Sequence, residues 1–195
     1  MTMPRAGLIG VIVPLVGDAY FAAITAGAAE AAFEHELRLV LEPTPHEHAR
    51  EVSLPERLMR GTDGALLILP EESGAELERV LATPYPLVVV DPMLALGEAV
   101  PCVLAAHRAG AAQAVRHLLG LGHRRLAAIG GPPAWLASEE RRAGYRTALA
   151  DAGIAPDLAL EVDADPETPP ASCAAALLAA AEPPTAIFAF NDAID

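Results

Sequence analysis

The strongest constraint on this chain is a rhythm along it. Short apolar runs rich in β-branched residues alternate with longer segments whose apolar residues recur at helical spacing. Residues 8–13, Leu-Ile-Gly-Val-Ile-Val, read as a buried strand stopped by Pro14. The same reading gives strands over 37–41, 65–69 and 87–90, and then over 126–129, 158–162 and 186–189. Helical spacing covers 21–37, 49–60, 75–82, 108–121, 138–152 and 171–181, with Gly122 suited to a helix cap. Strands that are apolar throughout must be covered on both faces, and strands separated by helices pair in parallel. The fold class is α/β, with two Rossmann-like lobes. Residues 1–6 form a leader, 7–104 the first lobe and 105–195 the second. The weakly periodic stretch 93–104 carries the crossing between them. The second block has three strand candidates where the first has four, so that lobe reads as incomplete and the polypeptide as truncated.

Composition narrows the partners. The 195 residues carry 13 basic and 26 acidic side chains, a formal charge of −13, and every cation is arginine. Phosphate contacts require clustered cations, so these residues do not bind nucleic acid or an anionic membrane directly. With 53% of residues hydrophobic, a sizeable core is available. No uninterrupted apolar stretch reaches membrane-spanning length, and no signal peptide is evident, so the expectation is a cytoplasmic protein. Cys102 and Cys173 are too few for a disulfide framework and lack metal-ligand spacing.

In doubly wound sheets, ligands bind outside the carboxyl ends of the strands. The residues that follow the strands are therefore the candidates: Tyr20 and Phe21 after the first, Asp91 after the fourth, Trp135 and Arg141 after the fifth, Asn191 after the last. Three of the chain's eight aromatic residues fall there. Aromatic faces stack on sugar C–H surfaces or bases, while Asp, Arg and Asn direct hydrogen bonds to hydroxyls. Each aromatic taken alone is equally well a core or loop-anchoring residue, and the clustering is what favours a ligand.

Enzymatic readings find no support. The turn after the first strand, Pro14-Leu15-Val16-Gly17, lacks a dinucleotide fingerprint, and there is neither a P-loop nor a nucleophile elbow. The absence of lysine removes Schiff-base chemistry. His46 and His48 flank Glu47 in a proline-bounded loop, where a solvated loop is a commoner outcome than a metal site. His123-Arg124-Arg125 reads as a helix-end contact with the macrodipole. No catalytic group, metal or cofactor is assigned.

Several segments in order carry a family likeness: Ile9 to Pro14, Tyr20-Phe21, Gly64 to Pro70, Leu87 to Asp91, Leu-Gly-His-Arg-Arg at 121–125 with Ile-Gly-Gly-Pro at 129–132, Arg141 to Tyr145, and Pro-Thr-Ala-Ile-Phe-Ala-Phe-Asn-Asp at 184–192. On these the chain resembles the effector-binding domain of the lactose-repressor/galactose-repressor (LacI/GalR) family of bacterial transcription regulators, from about residue 7 to its end. The resemblance implies a periplasmic-binding-protein-like type I fold whose lobes close on a small ligand, often a sugar or nucleoside. By position it places the pocket on Tyr20, Phe21, Asp91, Trp135, Arg141 and Asn191. Arg141 would clamp hydroxyls, Asp91 and Asn191 would orient them, and the aromatic rings would stack. It also implies DNA binding through a helix-turn-helix headpiece not present here, and a homodimer, since paired operator half-sites match two-fold symmetry.

Two departures stand out. Ala106-His107 stands where many members have Asp-Asn, which removes a helix cap at the entry to the second lobe. Trp135 replaces a residue that is usually small or polar, which points to an altered ligand. A sugar-binding protein serving a transport system uses the same fold and is the alternative reading.

Overall fold

The computed structural model describes residues 6–45, 57–70, 74–97, 100–165 and 167–191. The chain divides into two compact units, Met1–Leu104 and Ala105–Asp195.

The first unit is a five-stranded sheet in which every neighbouring pair is parallel, with strand order β2-β1-β3-β4-β5. The strands are β1 (Leu8–Val13), β2 (Arg38–Pro43), β3 (Gly64–Ile68), β4 (Leu87–Val90) and β5 (Cys102–Val103). Alternation along β1 divides its side chains between two cores. Val11 and Val13 pack with Phe21 of α1 (Ala19–Glu34) and with Ile68. Ile12 packs on the other face with Leu58, Leu67, Leu87 and Leu77 of α2 (Gly74–Leu81). The all-apolar run 8–13 is thus explained by burial from both sides. With β1 flanked by β2 and β3, this is the order that creates a crevice beside the carboxyl end of the first strand.

The second unit is a three-stranded parallel sheet, β7-β6-β8, formed by β6 (Leu126–Gly130), β7 (Glu161–Asp163) and β8 (Ala186–Ala189). All five residues of the central β6 are buried. Its core collects Val115 and Leu119 from α3 (His107–Gly120), Tyr145, Ala148 and Leu149 from α4 (Leu136–Asp151), and Cys173 and Leu177 from α5 (Pro170–Leu178). The two longer helices meet at Gly144, where a Cβ would stand 2.3 Å from the Arg108 carbonyl oxygen and 2.9 Å from Ala111 Cβ. Only a residue without a side chain permits that approach.

The strands 8–13, 87–90 and 186–189 stand where the sequence places them; other elements differ. The strand expected over 158–162 is a 3₁₀ turn over Leu158–Leu160 followed by a three-residue strand, because the Asp157 carboxylate accepts from Ala159 N at 3.0 Å and winds the chain locally. The crossing stretch 93–104 contributes β5, an edge strand that pairs Val89 with Cys102 and Val90 with Val103. The helix expected from residue 21 begins at Ala19, since Asp18 caps it. The expected helix over 49–60 and the His46-Glu47-His48 loop lie almost wholly outside the described residues. Arg124 does make the expected helix-end contact, donating from Nη1 to the Leu119 carbonyl at 2.9 Å. Among the described residues, no helix is long and apolar enough to cross a membrane.

Candidate functional site

In the first unit the candidate residues gather where strands give way to loops. Asp18 caps α1, its Oδ1 accepting from Tyr20 N at 2.8 Å and Phe21 N at 3.3 Å. The cap fixes the first helical turn and sends the two rings in different directions. Phe21 turns inward and is 7% exposed, whereas Tyr20 is 44% exposed. The rings remain edge-on, 5.6 Å apart with an interplanar angle of 70°. The Tyr20 hydroxyl donates to Oδ2 of Asp91, which follows β4 and is 5% exposed. Tyr20, Phe21 and Asp91 therefore form one connected group.

Two of the residues that follow strands here also carry backbone strain. Leu69 and Asp91, the residues just after β3 and β4, have φ of +47° and +50°. A left-handed conformation at a residue bearing a side chain costs about 1–2 kcal/mol. Each is held by a backbone bond to the next strand, Leu69 N to Val90 O and Asp91 N to Val103 O, both 2.8 Å. Such strain persists where the surroundings impose it, characteristically at ligand sites. Thr44, beyond β2, was missed in the sequence. It is fully buried, and its Oγ1 has no hydrogen-bond partner among the described residues. No residue pattern marks it, because its burial follows from the loop geometry at that strand end.

The second unit builds a cavity of about 290 Å3. Arg141 lines one side and the first turn of α3 another, with Ala106, His107 and Gly110, while Phe188 and Phe190 supply aromatic surface. Ala106, at the N-cap of α3, provides no side-chain hydrogen bond, as the missing Asp-Asn pair implies. Trp135 is the N-cap of α4, half-buried, with its nitrogen donating to Pro132 O at 3.1 Å and its carbonyl accepting from Glu139 N at 3.0 Å. Asn191 follows Phe190 and is exposed. In the sequence Phe188 passed as a residue of the strand 186–189 and Phe190 as the exit from it; Phe188 stands on β8, which pairs with β6, and Phe190 directly follows it.

The two adjacent arginines have different surroundings. Arg142 meets Glu161 Oε2 at 3.5 Å and Asp163 Oδ1, and its guanidinium carbon lies 5.6 Å from the centre of the Phe190 ring. Arg146 also reaches Glu161, at 2.9 Å. Its hydrogen bond with that carboxylate raises its pKa further. Arg141 has no ion pair among the described residues. Among the described residues, no group of three His, Cys, Asp or Glu side chains is placed to hold a metal.

The chain matches the family model described as periplasmic binding proteins and sugar-binding domain of the LacI family over residues 6–194. It is 25% identical over 201 residues to the regulator DegA of Bacillus subtilis, covering all of this chain and 58% of that protein. It is 30% identical to the regulator GalS of Salmonella typhimurium, covering 94% of this chain and 54% of that one. The chain spans about half the length of the curated relatives it matches. Among solved structures, one described as a LacI-family transcriptional regulator from Sanguibacter keddieii is 33% identical with a TM-score of 0.78, over 98% of this chain and 69% of that chain. A complex of the regulator CelR with cellobiose is 28% identical with a TM-score of 0.82, over 97% of this chain and 60% of that chain. These relatives are transcription regulators, which favours the regulator reading over the transport one.

Proposed function

Because the chain belongs to the family of periplasmic binding proteins and LacI-type sugar-binding domains, we propose that it is the sensor of a transcription regulator, recognising a small polar effector such as a sugar or nucleoside. The recognising groups are Tyr20 and Asp91 in the first unit, with the buried Phe21 ring backing Tyr20 rather than facing a ligand, and Trp135, Arg141 and Asn191 in the second. One observation carries the reading: Arg141 lines a cavity walled by two phenylalanine rings and is not neutralised by any carboxylate among the described residues. A guanidinium with open donors beside ring faces suits a ligand with hydroxyls on one edge and C–H surface on another.

Control of transcription follows if the effector favours one arrangement of the sensor over another, since a ligand with equal affinity for both states shifts nothing. Operator contact belongs to a helix-turn-helix headpiece elsewhere in the polypeptide. The charge of −13 leaves these residues unsuited to DNA. Such a regulator works as a homodimer on paired half-sites. On α1, Ala22, Ala26, Ala29 and Phe33 lie along one helical stripe, all exposed, with Phe33 at 83%. That stripe supports pairing through α1. Sedimentation of the purified regulator as a monomer at micromolar concentration would count against it.

The test of the sensor reading is calorimetry with a panel of pentoses, hexoses, disaccharides and nucleosides. A ligand at a hundred times its Kd adds about 2.7 kcal/mol to stability. The expected result is a hit in the native protein that disappears in Arg141→Ala, with the unliganded melting transition unchanged. Undiminished affinity in that variant removes Arg141 from the site.

A further inference from the structure

We propose that Arg142 is a positioning residue: its guanidinium, fixed by Asp163 and Glu161, holds the Phe190 ring as a wall of the Arg141 cavity and so sets the ligand surface that the cavity accepts. This rests on the sensor reading above and concerns the same site. Two neighbouring residues on a helix point about 100° apart, so Arg141 and Arg142 cannot share a role by default. The surroundings assign them. Arg142 is 17% exposed at its side chain and faces two carboxylates, one of which, Glu161, is 2% exposed. A buried carboxylate needs paired donors, and Glu161 takes them from Arg142 and Arg146 together. The charge of Arg142 is thereby committed to the protein, which leaves Arg141 for the ligand.

What remains of Arg142 is its planar face. The guanidinium carbon stands over the Phe190 ring, 5.6 Å from the centroid, and the Phe190 backbone is pinned by a bond from its nitrogen to Ile129 O at 3.0 Å. Phe190 also contacts Phe188, 5.4 Å away and tilted by 48°, and Phe188 stacks at 6.5 Å on the fully buried Tyr145. An aromatic row thus links the buried Tyr145 through Phe188 to Phe190, itself 5% exposed, beneath the guanidinium. The end of β6 makes room for this junction. A Cβ on Gly130 would stand 2.6 Å from Asp163 Oδ1, 2.9 Å from Phe190 Cε2 and 3.1 Å from Arg142 Nη2. Carboxylate, ring and guanidinium therefore converge above one glycine. Lysine keeps the charge of Arg142 but has neither the planar surface for stacking nor the fork that reaches two carboxylates.

The experiment uses the whole chain and two readouts that do not depend on knowing the effector. Phenylglyoxal, an arginine-directed reagent, is mapped onto Arg141 and Arg142 by fragment-ion mass spectrometry. Ring signals of 13C-labelled phenylalanine, assigned through Phe190→Leu, report on the wall. In the native protein Arg141 reacts at least fivefold faster than Arg142, and the Phe190 signals are distinct from averaged ring signals. In Arg142→Lys the Phe190 signals shift and average, and the rate at Arg141 changes at least twofold. In the Phe190→Leu background the same substitution leaves the Arg141 rate unchanged. Asp163→Asn, which preserves volume, gives the same ring signature and serves where Arg142→Lys does not fold. Equal reactivity of the two arginines, or unperturbed Phe190 signals in both variants, overturns the proposal. If no member of the sugar and nucleoside panel binds the native protein, the sensor reading fails while these readouts still decide the role of Arg142. If one binds, Arg142→Lys weakens it at least fivefold, and an unchanged Kd again overturns the proposal.

Discussion

The hydroxyl of Tyr20 donates to the carboxylate of Asp91, joining the first turn of α1 to the end of β4 across 71 positions of sequence. The bond matters because Asp91 is 5% exposed and sits at φ +50°, so its side chain is held at both the backbone and the tip. A hydrogen bond to a charged group contributes roughly 1.5–3 kcal/mol. Tyr20→Phe is expected to lower stability by about that amount and to weaken the effector found by the panel, measured by urea denaturation and calorimetric titration. A variant as stable as the native protein would show that the bond is not maintained in solution.

Gly130→Ala places a methyl group where Asp163, Phe190 and Arg142 converge. The contact at 2.6 Å cannot be relieved without moving a paired carboxylate, and overpacking of this kind costs about 1–3 kcal/mol. The expected outcome is a lower melting temperature together with a loss of effector affinity larger than stability alone accounts for. Unaltered affinity would separate the junction from the cavity.

Gly144→Ala serves as the control away from the strand ends. The clash is with backbone, at 2.3 Å from Arg108 O, so α3 and α4 must separate for the fold to accept it. We expect a loss of about 3 kcal/mol or more, or failure to fold, read from the urea midpoint. A near-neutral substitution would mean that the two helices cross at a greater distance.

Alkaline stability isolates Tyr145. Burial, followed by the negative charges of Glu161 and Asp157, pushes its phenol up to about 12 from an ordinary 10.0. The folded protein therefore favours the protonated ring. This contribution is complete below about pH 10, where the unfolded chain also keeps its proton, and is lost as pH rises towards 12. Tyr145→Phe loses the bond from the hydroxyl to Leu126 O, 2.7 Å long, and should be less stable at neutral pH by roughly 1 kcal/mol. Between pH 10 and 12 the gap between native and variant melting temperatures should narrow. A constant gap would contradict the raised pKa.

The architecture was legible because strands buried on both faces leave nearly unbroken apolar runs, as at Val11-Ile12-Val13 and Leu126 to Ile129. Elements that depend on a single polar group were not. Asp157 converts an apparent strand start into a 3₁₀ turn, and β5 is two exposed residues with no period to read. That Tyr20 and Asp91 come soon after β1 and β4, and that Arg141 lies in the helix following β6, is read from chain order alone. The separation of Arg141 from Arg142 is not, since it requires knowing that Glu161 and Asp163 stand on β7, the strand paired with β6. Burial of Phe21 likewise depends on the Asp18 cap, whose position decides which way each ring of the pair turns.

Trp135 occupies the N-cap of α4, half-buried, and is the chain's single tryptophan. All indole emission from this polypeptide therefore arises from one turn, six residues before Arg141 in the chain. The protein carries its own optical reporter at the place where the helix bearing both arginines begins. Excitation selective for indole would follow events at that turn without any label, against a silent background from the rest of the molecule.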